Sequence, residues 1–444
     1  MSDLEKAFIT LKGKNERIVM RNQYYEGDQP LVYSNKRLSD VFGGSFAKFN
    51  LNWCSVVVES TLDRIDLKGF DVVNANGETN KKLDMIWNKY HIELDAEEVH
   101  KDALITSESY VIAWKRPDGT IDVYPNKSSM CHIFYEPEFP KQKKFAAKWY
   151  FGTDEKWHIT LYYRDRLEYY ISSGKEIPES VGSFKPTKKA AKNPFEEIPV
   201  FHFRCPGELE DLLTVQDAIN KMFADMMVAG EFGAFKQRWI VSNSDTSQLK
   251  NKPGMVWELP GSDGTGEDTQ VGEFTGEDLS KFWKAIDGLA NYVAIKSRTP
   301  KYYLTEVGAG ISGDALIAME APLVKKAEKR IKQFSVTWQE LAAFLLKLDG
   351  ITTDQANVVP LWSRVKSEQP LAETQAINFG VSSGLPLVTM LRRQGWTKVE
   401  IAQMLADSKD QQVAQASMAK TMLEAARRKQ AEANTTGLED LINA

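Results

Sequence analysis

Gly308-Ala309-Gly310-Ile311-Ser312-Gly313 spells G-x-G-x-x-G, the pattern that seats a dinucleotide pyrophosphate on a strand-to-helix turn. That chemistry needs a preceding strand, a short following helix and an acid at the end of a second strand. Here the helical pattern runs on to about Leu348, so the glycines read as a flexible hinge. A second cluster is acidic. Between Pro253 and Ser280 there is no Lys or Arg, and Glu258, Asp263, Glu267, Asp268, Glu273, Glu277 and Asp278 stand among glycines. The 1-3-5-7-9-12 ligand spacing of a calcium loop is missing, which leaves a solvated acidic loop. A metal-dependent nucleic-acid-processing enzyme is the alternative reading, but its carboxylates must converge from rigid elements, and a glycine-rich loop supports them poorly. The five histidines, His91, His100, His132, His158 and His202, are scattered and read as structural rather than as ligands. Cys54, Cys131 and Cys205 are widely spaced and odd in number, so neither a disulfide framework nor a metal site is expected, and a reducing compartment is the default. No P-loop and no H-E-x-x-H motif occurs, and no cofactor is implied.

The elements around the glycine turn are the most informative part of the chain. Leu316, Met319, Leu323, Ala327, Ile331, Phe334, Trp338, Leu341, Leu345 and Leu348 step by threes and fours, which predicts one long helix with a buried face. Pro322 lies inside the pattern, so the helix kinks there or a shorter helix precedes it. The opposite face carries Lys325, Lys326, Lys329, Arg330 and Lys332. Two readings of that face stay open: a solvated surface, or a charged surface that meets a neighbouring subunit. Before the turn, Leu279, Phe282, Ile286, Leu289 and Val293 predict a second amphipathic helix that stops at Thr299-Pro300. Leu212, Val215, Ile219, Met222, Met226 and Gly230 predict another, upstream of the acidic segment.

The N-terminal part reads as helix over Leu4–Tyr25, broken or bent near Gly13, then a helix capped by Asn52 and a strand at Leu67–Val72. Helices follow at about Asn80–Tyr90 and Leu94–Thr106. The period then changes to two. Pro117-Asp118-Gly119 joins a hairpin, and strands recur at Cys131–Tyr135, Phe145–Phe151, Trp157–Tyr163, Leu167–Ile171 and Val200–Phe203, giving one antiparallel sheet region. Lys185 to Lys192 reads as an exposed basic loop. After a strand at Val358–Val365, the chain is helical, and Met404–Asn434 is rich in Ala and Gln. Its last residues read as a frayed terminus or a docking peptide.

Bulk properties narrow the function. A chain of 444 residues at net charge −5 is not expected to grip duplex DNA by its phosphates, although a mildly acidic wall would let DNA pass. No apolar run reaches the ~20 residues that span a bilayer, and Met1-Ser2-Asp3-Leu4-Glu5 lacks the features of a signal peptide. The sequons at Asn126 and Asn434 therefore carry no weight.

The order of elements resembles the portal (head–tail connector) proteins of tailed bacteriophages, of the type found in long-tailed phages of Gram-positive hosts. The residues that carry the resemblance are Tyr24-Tyr25-Glu26-Gly27 with Pro30-Leu31, and Asn52-Trp53-Cys54-Ser55-Val56-Val57-Val58-Glu59 with Arg64 and Gly69-Phe70. Others are Asp217-Ala218-Ile219-Asn220-Lys221, Phe235 to Trp239, and Ser312-Gly313-Asp314-Ala315-Leu316. The resemblance implies an α+β, elongated portal-type subunit. Residues 1–209 would be the wing, helical and then antiparallel sheet; 210–235 the first stem helix; 236–277 an acidic clip; and 278–296 the second stem helix. Residues 297–312 would be the tunnel loop, 313–370 a long kinked wing helix with its return strand, and 371–444 a helical crown and tail.

The function it implies is a homo-oligomeric ring at one capsid vertex, usually a dodecamer, that conducts DNA during packaging and ejection without being an enzyme. Its expected partners are terminase, a head-completion adaptor, scaffold or major capsid protein, and double-stranded DNA that passes without tight binding, with no membrane. It would be a virion component assembled in the host cytoplasm. Lys296, Arg298, Lys301 and Tyr302 would be the DNA-contacting residues of the tunnel loop, and Glu258, Asp263, Glu267 and Asp268 would meet the clip's partners. Besides the enzyme, the other alternative is a different virion structural protein, a coat or adaptor.

Overall fold

The computed structural model describes residues 1–30, 51–73, 77–187, 189–234, 238–241, 270–274, 276, 278–306, 311–366, 370–394, 396, 400, 401, 403–409 and 411. The chain divides into two compact units, Met1–Val365 and Lys366–Ala444.

Helix α1 (Asp3–Glu26) begins where the Ser2 hydroxyl accepts the Glu5 N–H, and ends at Gly27 with φ 79°. It passes Gly13 without a break, contrary to the sequence expectation. A mid-helix glycine costs about 1 kcal/mol, and burying Phe8, Leu11 and Ile18 outweighs that. Helix α2 (Trp53–Leu62) is capped by Asn52, whose Oδ1 accepts the Ser55 N–H. Strand β1 (Leu67–Val72), α3 (Gly77–Lys89) and α4 (Ile92–Thr106) follow.

Strands β2 (Glu108–Lys115) and β3 (Ile121–Asn126) form the expected hairpin, with Gly119 at φ 88° in its turn. Next come β4 (Cys131–Tyr135), β5 (Lys143–Phe151), β6 (Trp157–Tyr162), β7 (Arg166–Ser172), β8 (Phe184–Pro186), β9 (Ala191–Lys192) and β10 (Val200–Arg204). The single sheet region of the sequence reading is two antiparallel sheets. One has the order β10-β2-β3, and the other β4-β5-β6-β7-β8, with β9 also paired to β7. Tyr110, Ile112, Cys131, Ile133, Ala146, Tyr162 and Val200 form a core drawn from both sheets. Helix α1 covers the larger sheet with Phe8 and Leu11 packed among Phe145, Trp149 and Phe184.

Helix α5 (Leu213–Ala234) is followed by β11 (Arg238–Val241) and β12 (Gln270–Glu273), a two-stranded ribbon that hydrophobic periodicity did not announce. Glu258, Asp263, Glu267 and Asp268 lie outside the described residues. Helix α6 (Leu279–Ser297) returns beside α5, and the pair packs with α2 through Trp53, Val57, Leu212, Ile219, Ile286, Ala290 and Val293.

Helix α7 (Gly313–Leu348) is a single 36-residue helix that contains Pro322. At 1.5 Å per residue it is roughly 54 Å long. Burial begins at Leu323, while Met319 before it is exposed, so the apolar face holds only beyond the proline. That face fills the main core: Phe334, Trp338, Leu341 and Leu345 meet α4, β10 and the neighbouring helices. His100 of α4 stacks on Phe334 at 4.8 Å between ring centroids, and its Nε2 accepts the Trp338 indole N–H at 2.9 Å. Strand β13 (Val358–Trp362) then pairs antiparallel with β1, joining elements almost three hundred residues apart in the chain.

In the second unit, α8 (Pro370–Ser382) and α9 (Leu387–Arg393) pack at Gly380, where an added Cβ would lie 2.4 Å from the Met390 sulfur. Residues 403–409 are helical.

Candidate functional site

The segment from Ser297 to Glu306 leaves the end of α6 and leads towards α7. Pro300 ends the helix: it offers no N–H and pushes Thr299 out of the helical region. Arg298 takes up the change of direction in the left-handed conformation, at φ 57°. A non-glycine residue there costs about 1–2 kcal/mol, and the surrounding contacts hold it in place.

Three sets of side-chain contacts fix this segment. At its root, Lys326 of α7 donates to the Ser297 carbonyl at 2.7 Å, placing a cation on the carbonyl end of α6. Lys326 also donates to Glu208 at 2.9 Å, and Arg330, one turn further along α7, donates to the same carboxylate through Nε at 3.1 Å and Nη2 at 2.9 Å. Glu208 is 4% exposed, and its own N–H donates to the Leu104 carbonyl at 2.8 Å. Burial lowers the Lys326 pKa, and the Glu208 carboxylate opposes that shift. The sequence reading placed Lys326 and Arg330 on a face exposed to solvent or to a neighbour. Instead, both are buried against Glu208 of their own chain.

In the middle, Asp287 of α6 accepts from Lys301 at 2.8 Å and from the Thr305 hydroxyl at 3.3 Å. Farther out, the Tyr302 hydroxyl donates to Glu320 at 2.6 Å, and Arg64 pairs with Glu320 at 3.0 Å while donating to the Val365 carbonyl at 2.8 Å. Burial, then the Glu320 hydrogen bond, raises the Tyr302 pKa. Residues 307–310, which include two of the three turn glycines, lie outside the described residues.

The four loop residues picked from the sequence thus stand in different situations. Lys296 is exposed and 3.4 Å from Asp211. Lys301 is neutralised by Asp287, and Tyr302 is tied to Glu320. Arg298 is exposed and forms no ion pair among the described residues. It opens onto a groove of about 560 Å³ at the root of the loop, shared with Lys329 and the rim acids Glu210 and Asp211. Sequence reasoning did not place Glu208, Asp287, Arg64 or Glu320 at this loop. A signal existed for one part of the cluster: Leu323, Ala327, Arg330 and Phe334 continue the three-and-four spacing, which puts Arg330 on the buried seam.

Other polar clusters are structural in form. Glu108 is held well below the usual carboxylate range by His202, Lys14 and Tyr110, which overcome its burial. Burial pushes the thiols of Cys54, Cys131 and Cys205 up to about 12. Among the described residues no group of three or more His, Cys, Asp or Glu side chains could hold a metal ion, and no helix is long and apolar enough to cross a membrane.

Residues 12–414 match the family described as phage portal protein, SPP1 Gp6-like. The chain is similar to the portal protein of Mycobacterium phage D29, 22% identical over 333 residues that cover 69% of this chain and 67% of the relative. It is also similar to the portal protein of Mycobacterium phage L5, 20% identical with the same coverage. Among solved structures, the neck of an empty GTA particle computed with C6 symmetry aligns with 80% of this chain and 95% of its own, at 14% identity and a TM-score of 0.44. A chain of the native gene transfer agent virion aligns with 83% and 94%, at 12% identity and a TM-score of 0.42.

Proposed function

The chain belongs to the SPP1 Gp6-like family of phage portal proteins, and from that premise we propose that it closes into a ring at one capsid vertex and conducts DNA into and out of the head. The observation that carries this reading is the family match across 403 consecutive residues (12 to 414), which takes in both halves of the fold. The geometry supports it. Helices α5 and α6 would be the stem, the β11–β12 ribbon the base of a clip, and α7 the long wing helix. Trp283, Tyr292 and Ile295 of α6 are 50%, 46% and 79% exposed, as expected of surface that neighbouring copies cover. A ring needs head-to-tail contacts between two different faces of one subunit.

The tunnel loop is residues 297–312. In it, Arg298 is the cation most available to a passing phosphate and Lys301 is neutralised at rest, while Lys296, at the end of α6 just before the loop, is weakly held. Tyr302 then acts chiefly as an anchor. Few free cations fit a conduit, because each phosphate contact adds to the salt-dependent grip on DNA and would oppose sliding. Terminase and then a head-completion adaptor would dock on the clip, with Glu258, Asp263, Glu267 and Asp268 presenting its acidic surface. Scaffold or major capsid protein would meet the wing, and assembly would take place in the host cytoplasm before the protein enters the virion. The family is structural, and no catalytic role is assigned.

Negative-stain microscopy with a mass measurement tests the reading. At 50.2 kDa per subunit, a ring of about a dozen copies weighs roughly 600 kDa. Particles of that mass with a central hole are expected. A compact dimer under every condition, together with metal-dependent nicking of DNA, would move the assignment to an enzyme.

A further inference from the structure

Helix α7 keeps part of its charge outside the core. With Lys326 and Arg330 taken by Glu208 and Lys325 paired with Glu328 at 2.7 Å, Lys329 and Lys332 are exposed and form no ion pair among the described residues. Val336, one turn beyond Lys332, is 59% exposed. Successive residues of a helix are about 100° apart. Lys329, Lys332 and Val336 therefore all lie within about 40° of the line directly opposite Phe334, the residue that stacks on His100 of α4.

Helix α4 carries the reciprocal pattern. Glu97 and Glu98 are exposed and form no ion pair among the described residues, and Leu94 is 70% exposed. Leu94 and Glu98, an i, i+4 pair, point about 120–160° away from His100, with Glu97 on the flank. The two helices touch through His100, Phe334 and Trp338. The basic stripe and the acidic stripe therefore face outward from opposite sides of one packed pair of helices. They cannot meet within one chain. Each has two free like charges next to one exposed apolar side chain.

We propose that the Lys329–Lys332–Val336 stripe of one copy docks on the Leu94–Glu97–Glu98 stripe of the next copy, as a head-to-tail contact that closes the ring. This rests on the ring reading above and names the surfaces that would make it. Opposite faces, opposite charge and matched apolar residues are what a heterologous contact requires.

Charge reversal in the full-length chain tests it. Lys329→Glu with Lys332→Glu makes both stripes acidic, and Glu97→Lys with Glu98→Lys makes both basic. All four side chains are exposed, so each variant is expected to fold with unchanged circular dichroism and melting. Either double variant alone should need a protein concentration roughly tenfold higher or more before rings appear by sedimentation, because like charges then face each other. An equimolar mixture of the two should recover rings, since every contact in an alternating ring pairs opposite charges. The quadruple variant should recover them alone. Double variants that assemble like the wild type overturn the docking and leave the ring reading intact. Loss of rings with no recovery in the mixture or the quadruple variant overturns the pairing of these two stripes. A wild-type chain that forms no ring, alone or co-expressed with its capsid proteins, removes the ring reading itself.

Discussion

Replacing Glu208 by Gln tests whether buried charge holds the root of the loop. The side chain keeps its shape but loses the charge that two cations share. In the native protein one carboxylate, 4% exposed, accepts three hydrogen bonds from Lys326 and Arg330, whose side chains are 8% and 11% exposed. An amide oxygen can still accept from one of them, but two buried cations then stand 4 residues apart on one helix face with no anion between them. Removing one member of such a cluster costs about 3–5 kcal/mol, most of it the desolvation of the charges left behind. Urea unfolding followed by tryptophan fluorescence would report this directly, since Trp338 lies on the same helix. The midpoint should fall without a change in slope. Lys326→Met is the control. It leaves Glu208 paired with Arg330 and loses only one cation and its bond to Ser297, so it should cost less than Glu208→Gln. Hydrogen exchange of the amides from Ile295 to Glu306 should speed up in both variants, because both weaken the bond to the Ser297 carbonyl. A loss below about 1 kcal/mol for Glu208→Gln would place the cluster in effective contact with water and refute the reasoning.

His100 is fully buried, and desolvation lowers its pKa to about 3. The folded state then holds the neutral ring, so this contribution is complete above the unfolded value of ~6.5 and is lost as pH falls towards 3, at up to roughly 1.4 kcal/mol per pH unit. The stability difference between wild type and His100→Gln should therefore shrink over that window, and a pH-independent difference would count against it. Cys54, Cys131 and Cys205 are 1%, 0% and 4% exposed with raised pKa values, so a thiol reagent at neutral pH should modify all three only as fast as the chain opens. Rapid modification of any one in the folded protein would show that its burial is misjudged. In assembled rings, Asp287→Ala should free Lys301, steepening the salt dependence of duplex binding by about 0.9 per subunit engaged, whereas Arg298→Ala should flatten it. An unchanged slope in both would remove these cations from DNA contact.

The long elements were legible because their periodicity is long. Helix α7 and the partners α5 and α6 follow from three-and-four spacing, and the strands from β2 to β7 follow from period-two runs of aromatic and β-branched residues. The misreadings have local causes. Gly13 suggested a break, but tertiary burial on both sides of it overrides a penalty of about 1 kcal/mol. The division of one sheet region into two sheets depends on β10 returning to pair with β2 across the chain, which no local pattern encodes. The ribbon of β11 and β12 is only four residues per strand and lies beside glycine-rich sequence, so its alternation is too short to register. At the loop, the cations were visible by residue type. Their partners were not, because Asp287 and Lys301 are fourteen positions apart, and Arg64 and Glu320 come together only when α2 meets α7.

The distribution of polar and apolar contacts along α7 also says where this loop can give. Beyond Phe334 the helix is rooted in the main core, and any shift there disturbs several buried aromatic rings. At Lys326 and Arg330, beside the buried Ala327, the ion pairs to Glu208 and the bond to Ser297 are buried, so they hold α6 to α7 with a cost of several kcal/mol to release. From Gly313 to Pro322 no side chain is buried, and Glu320 is tied to Tyr302 and Arg64. Arg64 and Glu320 are each only 12% exposed, whereas the Lys301–Asp287 pair nearer the root is 30% and 38% exposed and worth about 1 kcal/mol or less. A load on the loop is therefore met first by the Asp287 contacts, then by the more buried Glu320 and Glu208 contacts, and last by the core. Pro322 removes one backbone hydrogen bond from the helix just before its buried part begins at Leu323. The charged cluster at Glu208 lies between the loop contacts and the aromatic core of the helix.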